Sequence, residues 1–541
     1  MPNNSQIDRT AFLVAALTGF MFAVLICRAA PTQNPADSIW PTKEWQTCAP
    51  EEQGMDSGEL AKLVDFGATP VLAAPGLTLN SLFDSLLVVR HGKIVAEAYY
   101  APYARGIPHT VYSVTKAVIS TLTAIAWKEG LLDSPNHRVL EFFDQRSIAN
   151  VDTRKEAITV ENLLDMTSGF EWTERGQPHS PSDSMFEMER SPDWVKFVLD
   201  RPMSSAPGDA FDYNSGNPHL LSAILTKLTG MSALEYAKTE LFGPLGIDDV
   251  HWRHDPQGIS IGGYGLSLQP RDMAKIGCLY LRNGLWEGEQ LLPTAWIDKV
   301  RHATVDMHDR WEPELRYSNL FWALPDKHVY MAVGYHGQVI MVFPDLDVVM
   351  VKTSRSWCRL DKLANLVSAS VKSDTSLPTD AASAKLLANK LLDVSTEKPT
   401  EVGPTSKMAA IISGKVYRFP PNETNVKSLS LFLTDPQPHY DIETYGRGPT
   451  GSGPRVTGPI GLDGLYRKGE LTYQGFNEGL PRVNAVKGTW QGDHAFVINW
   501  LVLGLAQQPE QWTLTFFGEK LNVLVNVPEG GQILIDGDTG G

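Results

Sequence analysis

A serine hydroxyl attacks a carbonyl only when a neighbouring base takes its proton, and a lysine serves as that base only when burial lowers its pKa. Ser113-Val-Thr-Lys116 supplies both side chains three positions apart. In the first turn of a helix this spacing puts them on one face, with Cβ atoms about 5–6 Å apart. The helix N-terminus adds positive potential that favours a developing oxyanion or alkoxide. Residues 114–130 carry apolar side chains at helical spacing (Val118, Leu122, Ile125) and stop at a glycine, so they provide both the helix and the burial. The plain alternative for Ser113 is a helix-start serine whose hydroxyl caps the turn. A second Ser-x-x-Lys, Ser395 to Lys398, runs into Pro399 without an apolar helix and fails the same test of context.

Two further clusters carry compatible chemistry. Asp212-Tyr213-Asn214-Ser215-Gly216-Asn217 precedes an apolar helical run. A phenol acts as a base only when a cation such as Lys116 stabilises its phenolate, and Ser215 offers a hydroxyl to orient the lysine or a substrate amide. The alternative for Tyr213 is a core tyrosine before a helix. Gly334-Tyr335-His336-Gly337-Gln338 starts a strand. Gly337 permits close approach of a substrate, a main-chain N–H there can join that of Ser113 as an oxyanion hole, and His336 can hold the substrate. A turn glycine with a surface histidine is the alternative. Lys352-Thr-Ser354 competes for this slot one strand later. Gly258-Ile-Ser-Ile-Gly262 matches the Gly-x-Ser-x-Gly elbow but has loop residues on both sides, where that motif needs a strand and a helix. No His-Glu-x-x-His or paired-cysteine motif is present, and His251-Trp-Arg-His254 is too sparse for a metal site, so the expected chemistry uses no metal and no cofactor.

The elements that must position these residues read as a mixed fold. Residues 85–90 and 93–100 form a hairpin across His91-Gly92, residues 134–250 are mostly helix and loop, and residues 329–343 and 346–353 are strands separated by Pro344-Asp345. A helix near residues 360–371 closes this part. The order predicts an α+β fold, an antiparallel sheet flanked by helices with an inserted helical subdomain. Residues 373–406 read as a linker containing a short helical piece, and the short β runs from 407 to 541 as a separate all-β domain, sandwich or barrel. The first domain then spans 45–372.

The 541 residues are 43% hydrophobic, enough for two or more domains with real cores, which excludes a disordered or disulfide-stapled chain. Acidic residues outnumber basic ones, 62 to 47, for a net charge of −15 without a basic run, which argues against nucleic acid as a partner. Residues 11–27 are uncharged and apolar, with Arg9 before and Arg28 after. With residues 1–30 as a signal peptide or signal anchor, the expectation is an exported protein, periplasmic or extracellular, cleaved or held to the membrane by this segment. With Cys27 in that segment, three cysteines remain. Cys48 and Cys358, near opposite ends of the first domain, are the expected disulfide, with three reduced thiols as the alternative.

Together, Ser-x-x-Lys, Tyr-x-Ser and His-Gly resemble the serine β-lactamase-like superfamily of class C β-lactamases, D-amino-acid peptidases, esterases and 6-aminohexanoate-dimer hydrolases. Leu163-Leu-Asp-Met-Thr-Ser-Gly169, Gly265-Leu-Ser-Leu-Gln-Pro-Arg-Asp-Met-Ala-Lys-Ile-Gly277 and Pro344-Asp-Leu-Asp347 look like further landmarks, in order, over residues 45–370. The resemblance implies the serine β-lactamase/transpeptidase-like fold, Ser113 as acyl-accepting nucleophile, Lys116 and Tyr213 as coupled base and proton shuttle, and Ser215, His336, Gly337 and Gln338 at the substrate and oxyanion side. The Lys-Thr-Gly of true β-lactamases is missing from the third motif, which points to the esterase or amidase end, with a small-molecule ester or amide as substrate. A D-amino-acid cell-wall peptidase or weak β-lactamase is one alternative, and an inactive relative that binds a peptide or protein is another.

Overall fold

The computed structural model describes residues 40–74, 77–80, 83–144, 147–174, 183–309, 312–446, 453, 455–471, 482–527 and 531–540, all within one compact unit. The apolar segment 11–27, and with it Cys27, lies outside the described residues. Among them, no helix is long and apolar enough to cross a membrane.

The sheet that positions the site has eight antiparallel strands in the order Val305–Asp306, Arg316–Ser318, Phe321–Leu324, Val329–Gly334, Gln338–Phe343, Val348–Ser354, Phe83–Arg90, Lys93–Tyr99. The two strands that start the chain's path therefore lie beside the strand that ends it, and the helical subdomain is inserted between them in sequence. The hairpin turn uses left-handed backbone at His91 and Gly92 (φ 48° and 76°), which matches the twist of the flanking strands.

Strand alternation sorts side chains into two layers. Val349 and Val351, with Ile340, Val342, Leu87 and Val89, pack under the helices Val114–Lys128, Gly216–Thr229 and Pro270–Leu281. Val348 and Met350, with Val339, Met341, Leu86 and Val88, pack under Ser57–Ala68, Leu360–Ser370 and Ala381–Ser395. The fold is thus a helix–sheet–helix sandwich, with the helix that follows Ser113 on the first face.

Three expectations change. The run 329–343 is two strands, broken at Tyr335–Gly337, where His336 and Gly337 take left-handed backbone (φ 56° and 81°) and reverse the chain. Ala381–Ser395, within the stretch read as linker, is a full helix whose Leu387 and Val394 are buried against the second layer and whose Lys390 pairs with Asp65 at 2.7 Å. The Cys48–Cys358 disulfide is absent, and Cys48, Cys278 and Cys358 are free thiols. Thr47 bridges to Ile94 outside the edge strand Lys93–Tyr99, while Cys358 follows the strand Val348–Ser354 two places inward.

The C-terminal region is one ten-stranded antiparallel sheet, in the order Arg455–Pro459, His439–Thr444, Val426–Phe432, Val416–Arg418, Gly531–Asp538, Lys520–Val527, Glu510–Phe517, Ala495–Val502, Arg482–Gln491, Arg467–Leu471. Its two edge strands meet so closely that a Cβ on Gly469 would lie 2.8 Å from Pro459 Cδ, making a nearly closed barrel. Phe496, Ile498, Leu514, Phe516, Leu521 and Val523 fill it. A small cluster of Tyr103, Ala485, Leu501 and Leu503 joins the barrel to the sheet domain.

Candidate active site

Ser113 sits at the N-cap position of Val114–Lys128, but its hydroxyl makes no capping bond. That hydroxyl accepts instead from Lys116 Nζ at 2.9 Å, so the two side chains meet across the first helical turn as their spacing requires. Lys116 is 1% exposed, and its ammonium is fully used: it also donates to Ser215 Oγ at 3.0 Å and to the Gly263 carbonyl at 2.8 Å. Burial lowers its pKa to about 8, against the opposing pull of the Glu174 carboxylate.

Ser215 starts the helix Gly216–Thr229, which Asn214 caps through Oδ1, accepting from Gly216 N at 2.7 Å and Asn217 N at 3.2 Å. Tyr213, just before it, lies beside the lysine, with Lys116 Nζ 4.7 Å from the ring centroid. Burial and the Glu174 charge push its phenol pKa up, while a side-chain hydrogen bond with Ser113 pulls it down. The phenol is therefore neutral at ordinary pH.

Glu174 was not visible in the sequence reading, and it organises the cluster. It accepts from Ser215 N at 2.7 Å, from Ser215 Oγ at 2.6 Å and from Trp172 Nε1 at 2.9 Å. Since a hydroxyl has one proton and Ser215 gives it to the carboxylate, its lone pairs face Lys116 Nζ. The neighbouring Asp212 is pushed up to about 6, first by burial and then by Glu174.

Gly263 is the second contributor found only in three dimensions. A Cβ there would lie 2.9 Å from Ser215 Cβ, and on Gly262 it would lie 1.9 Å from the Pro218 carbonyl. Only glycine lets this loop pass close enough for its carbonyl to reach the lysine. The loop is fixed from behind by the buried pair His219 and Asp255, 3.1 Å apart, and by Asp255 Oδ1 accepting from Gln257 N and Ile259 N. Ser260, the central residue of the rival elbow motif, is buried in this loop, where its Oγ accepts from Leu234 N at 3.1 Å.

The third motif lies at the end of Val329–Gly334. A Cβ on Gly334 would sit 2.2 Å from Val111 O and 3.3 Å from Ser113 N, so this strand end abuts the backbone of Ser113. His336 stacks on Tyr335 with ring centroids 3.9 Å apart. Gly337 faces inward, where a Cβ would meet Lys352 Nζ at 2.7 Å. The Gln338 side chain is buried and occupied within the turn, donating to Ser354 O at 2.6 Å and Tyr335 O at 3.2 Å. Lys352, the rival cation, is fully buried over the Phe83 ring, 4.6 Å from its centroid, and donates to Cys358 Sγ at 3.1 Å.

A serine and a buried lysine on one helix, a tyrosine and serine ahead of a second, and a sheet strand beside Ser113 come together in one place. The Beta-lactamase family model matches residues 73–363, more than half of the chain, and the chain belongs to that family. Among its relatives is the 6-aminohexanoate-dimer hydrolase of Paenarthrobacter ureafaciens, 27% identical over 293 residues that make up 51% of this chain and 72% of that protein. Similar solved structures include EstCE1, a hydrolase with promiscuous acyltransferase activity, at 15% identity and a TM-score of 0.46, covering 63% of this chain and 99% of that one. A penicillin-binding protein homologue from Caulobacter crescentus gives 15% identity and a TM-score of 0.46, covering 60% and 98%.

Proposed function

We propose that the chain is a serine hydrolase that cleaves ester or amide bonds of small molecules through an acyl-enzyme on Ser113. The observation that carries this reading is the contact between the uncapped Ser113 hydroxyl and Lys116, 2.9 Å away and shifted by burial to about 8. At neutral pH roughly a tenth of such lysines are deprotonated, which suffices for a base positioned at its substrate proton.

Neutral Lys116 takes the Ser113 proton as Oγ bonds to the substrate carbonyl carbon. The Ser113 N–H at the helix N-terminus faces the carbonyl oxygen as it becomes an oxyanion. Tyr213, kept neutral, carries a proton between Lys116 and the leaving oxygen or nitrogen, whose bond to carbon then breaks. Water, losing its proton to the same base, attacks the acyl carbon and restores Ser113. Glu174 holds Ser215 so that the lysine stays aimed.

The amide end of the range is supported by the 6-aminohexanoate-dimer hydrolase relative. The burial of Lys352 speaks against recognition of a β-lactam carboxylate by that residue, which favours esters and linear amides over antibiotics.

A fluorophosphonate should label the wild-type protein at Ser113, located by mass spectrometry. Ser113→Ala should lose the label and at least about 10³-fold of the kcat towards p-nitrophenyl esters and a linear amide of 6-aminohexanoate. A label elsewhere, or hydrolysis that survives the substitution, would sink the reading.

A further inference from the structure

A turn of the barrel reaches the residues that lead into Ser113. Between its strands Ala495–Val502 and Glu510–Phe517, three successive carbonyls accept hydrogen bonds from the sheet domain. Gly504 O takes the Thr110 N–H at 2.7 Å, Leu505 O takes the Tyr112 hydroxyl at 2.8 Å, and Ala506 O takes His336 Nδ1 at 2.6 Å. Gln508 Nε2 adds a donation to Arg355 O at 3.2 Å. Leu503 and Ala506 are buried at 1% and 0% exposure, so the turn is seated rather than resting on the surface.

The three donors are not arbitrary. Thr110 and Tyr112 lie on the chain entering Ser113, and His336 lies in the turn after the strand end that abuts Ser113 N. Tyr112 and His336 both hold left-handed backbone, at φ 46° and 56°. For residues with a side chain that conformation is strained and persists only where surroundings hold it. Their two aromatic side chains are the groups tied to the turn.

From this geometry we infer that the turn at 503–508 is a positioning element of the active site: the barrel holds Tyr112 and His336, and through them sets Ser113 against the strand end at Gly334. The inference rests on the serine-hydrolase reading. Acylation then requires a docked barrel.

A matched pair of glycines tests it in the full-length chain. Gly504 and Gly492 both have positive φ, 83° and 72°, so alanine strains each backbone similarly. A Cβ at 504 would lie 2.2 Å from Pro108 O and unseat the turn, whereas at 492 it would meet nothing within 4 Å. Gly504→Ala should slow fluorophosphonate labelling of Ser113 and lower kcat by about tenfold or more, as expected for displaced reacting groups, with KM changed less than about twofold. Gly492→Ala should match wild type in both. Tyr112→Phe, which deletes one of the three bonds and leaves the ring, should lower kcat by about threefold. Equal labelling rates for the glycine pair, in chains with wild-type circular dichroism, would overturn the inference. If Gly504→Ala does not fold, an unchanged kcat in Tyr112→Phe overturns it instead. A wild-type chain that takes no label overturns the hydrolase reading and this inference with it, whereas a labelled wild type with an indifferent pair overturns the inference alone.

Discussion

Glu174 and Lys116 interact through Ser215, and the sign of that interaction can be measured. The carboxylate raises the lysine pKa while burial lowers it to about 8. On the proposed mechanism, in which neutral Lys116 is the base, activity should climb as pH rises towards 8 and level off above it. Glu174→Gln removes the charge but keeps an acceptor for Ser215 N. Without the charge, the ammonium of Lys116 is less favoured, so its pKa falls further. The acid limb of kcat/KM should therefore move to lower pH, with a larger fraction of the plateau rate retained at pH 6. An acid limb that stays put, or moves up, would remove Glu174 from the lysine's electrostatics and leave it only a structural anchor.

The helix Pro270–Leu281 lies across the sheet with Gly277 at the contact, where a Cβ would be 2.5 Å from Val349 Cγ1 and 2.9 Å from Ile340 Cγ2. Gly277→Val forces that helix off Gln338–Phe343, the strand that follows the third motif's turn, and off its neighbour Val348–Ser354. Overpacking of this kind costs about 1–3 kcal/mol, to be read as a lower urea midpoint; an unchanged midpoint would show that the layers can part freely. At this scale the elements differ in how far their residues announced them. The nucleophile helix was legible because its apolar spacing and its Ser-x-x-Lys start agree. The run 329–343 hid its turn because both its strands are buried on both faces, so no alternation marks their ends. Glu174 and Gly263 come from loops, where no periodicity exists, and only folding brings them to Lys116. In Ala381–Ser395, Leu386 and Leu392 are exposed at 45% and 66% while Leu387 and Val394 are buried, which blurred its amphipathic face.

Across the whole molecule, the sheet domain and the barrel meet through both apolar and polar surface, and the two kinds of contact should respond oppositely to mutation. Tyr103 is 4% exposed, packs with Ala485, Leu501 and Leu503, and stacks on His109 with ring centroids 5.4 Å apart. Arg482 is 6% exposed and makes one bond, Nη2 to Thr110 Oγ1 at 2.8 Å, while its Nε and Nη1 have no partner among the described residues. Burial lowers its pKa to about 10, a sign of how unfavourable the charge is there, and the same charge helps keep His109 neutral. A buried cation without a full set of acceptors is often replaced by an apolar side chain of similar volume at no loss of stability. Arg482→Met should therefore melt at or above the wild-type temperature. Tyr103→Ala, which empties the apolar half of the same contact, should lose about 3 kcal/mol or more. By the positioning inference, that loss should also appear as slower labelling of Ser113, since the turn that holds Tyr112 and His336 belongs to the body being loosened. If Arg482→Met were the more damaging of the two by calorimetry, the charge would be holding the domains together and the apolar cluster would be incidental.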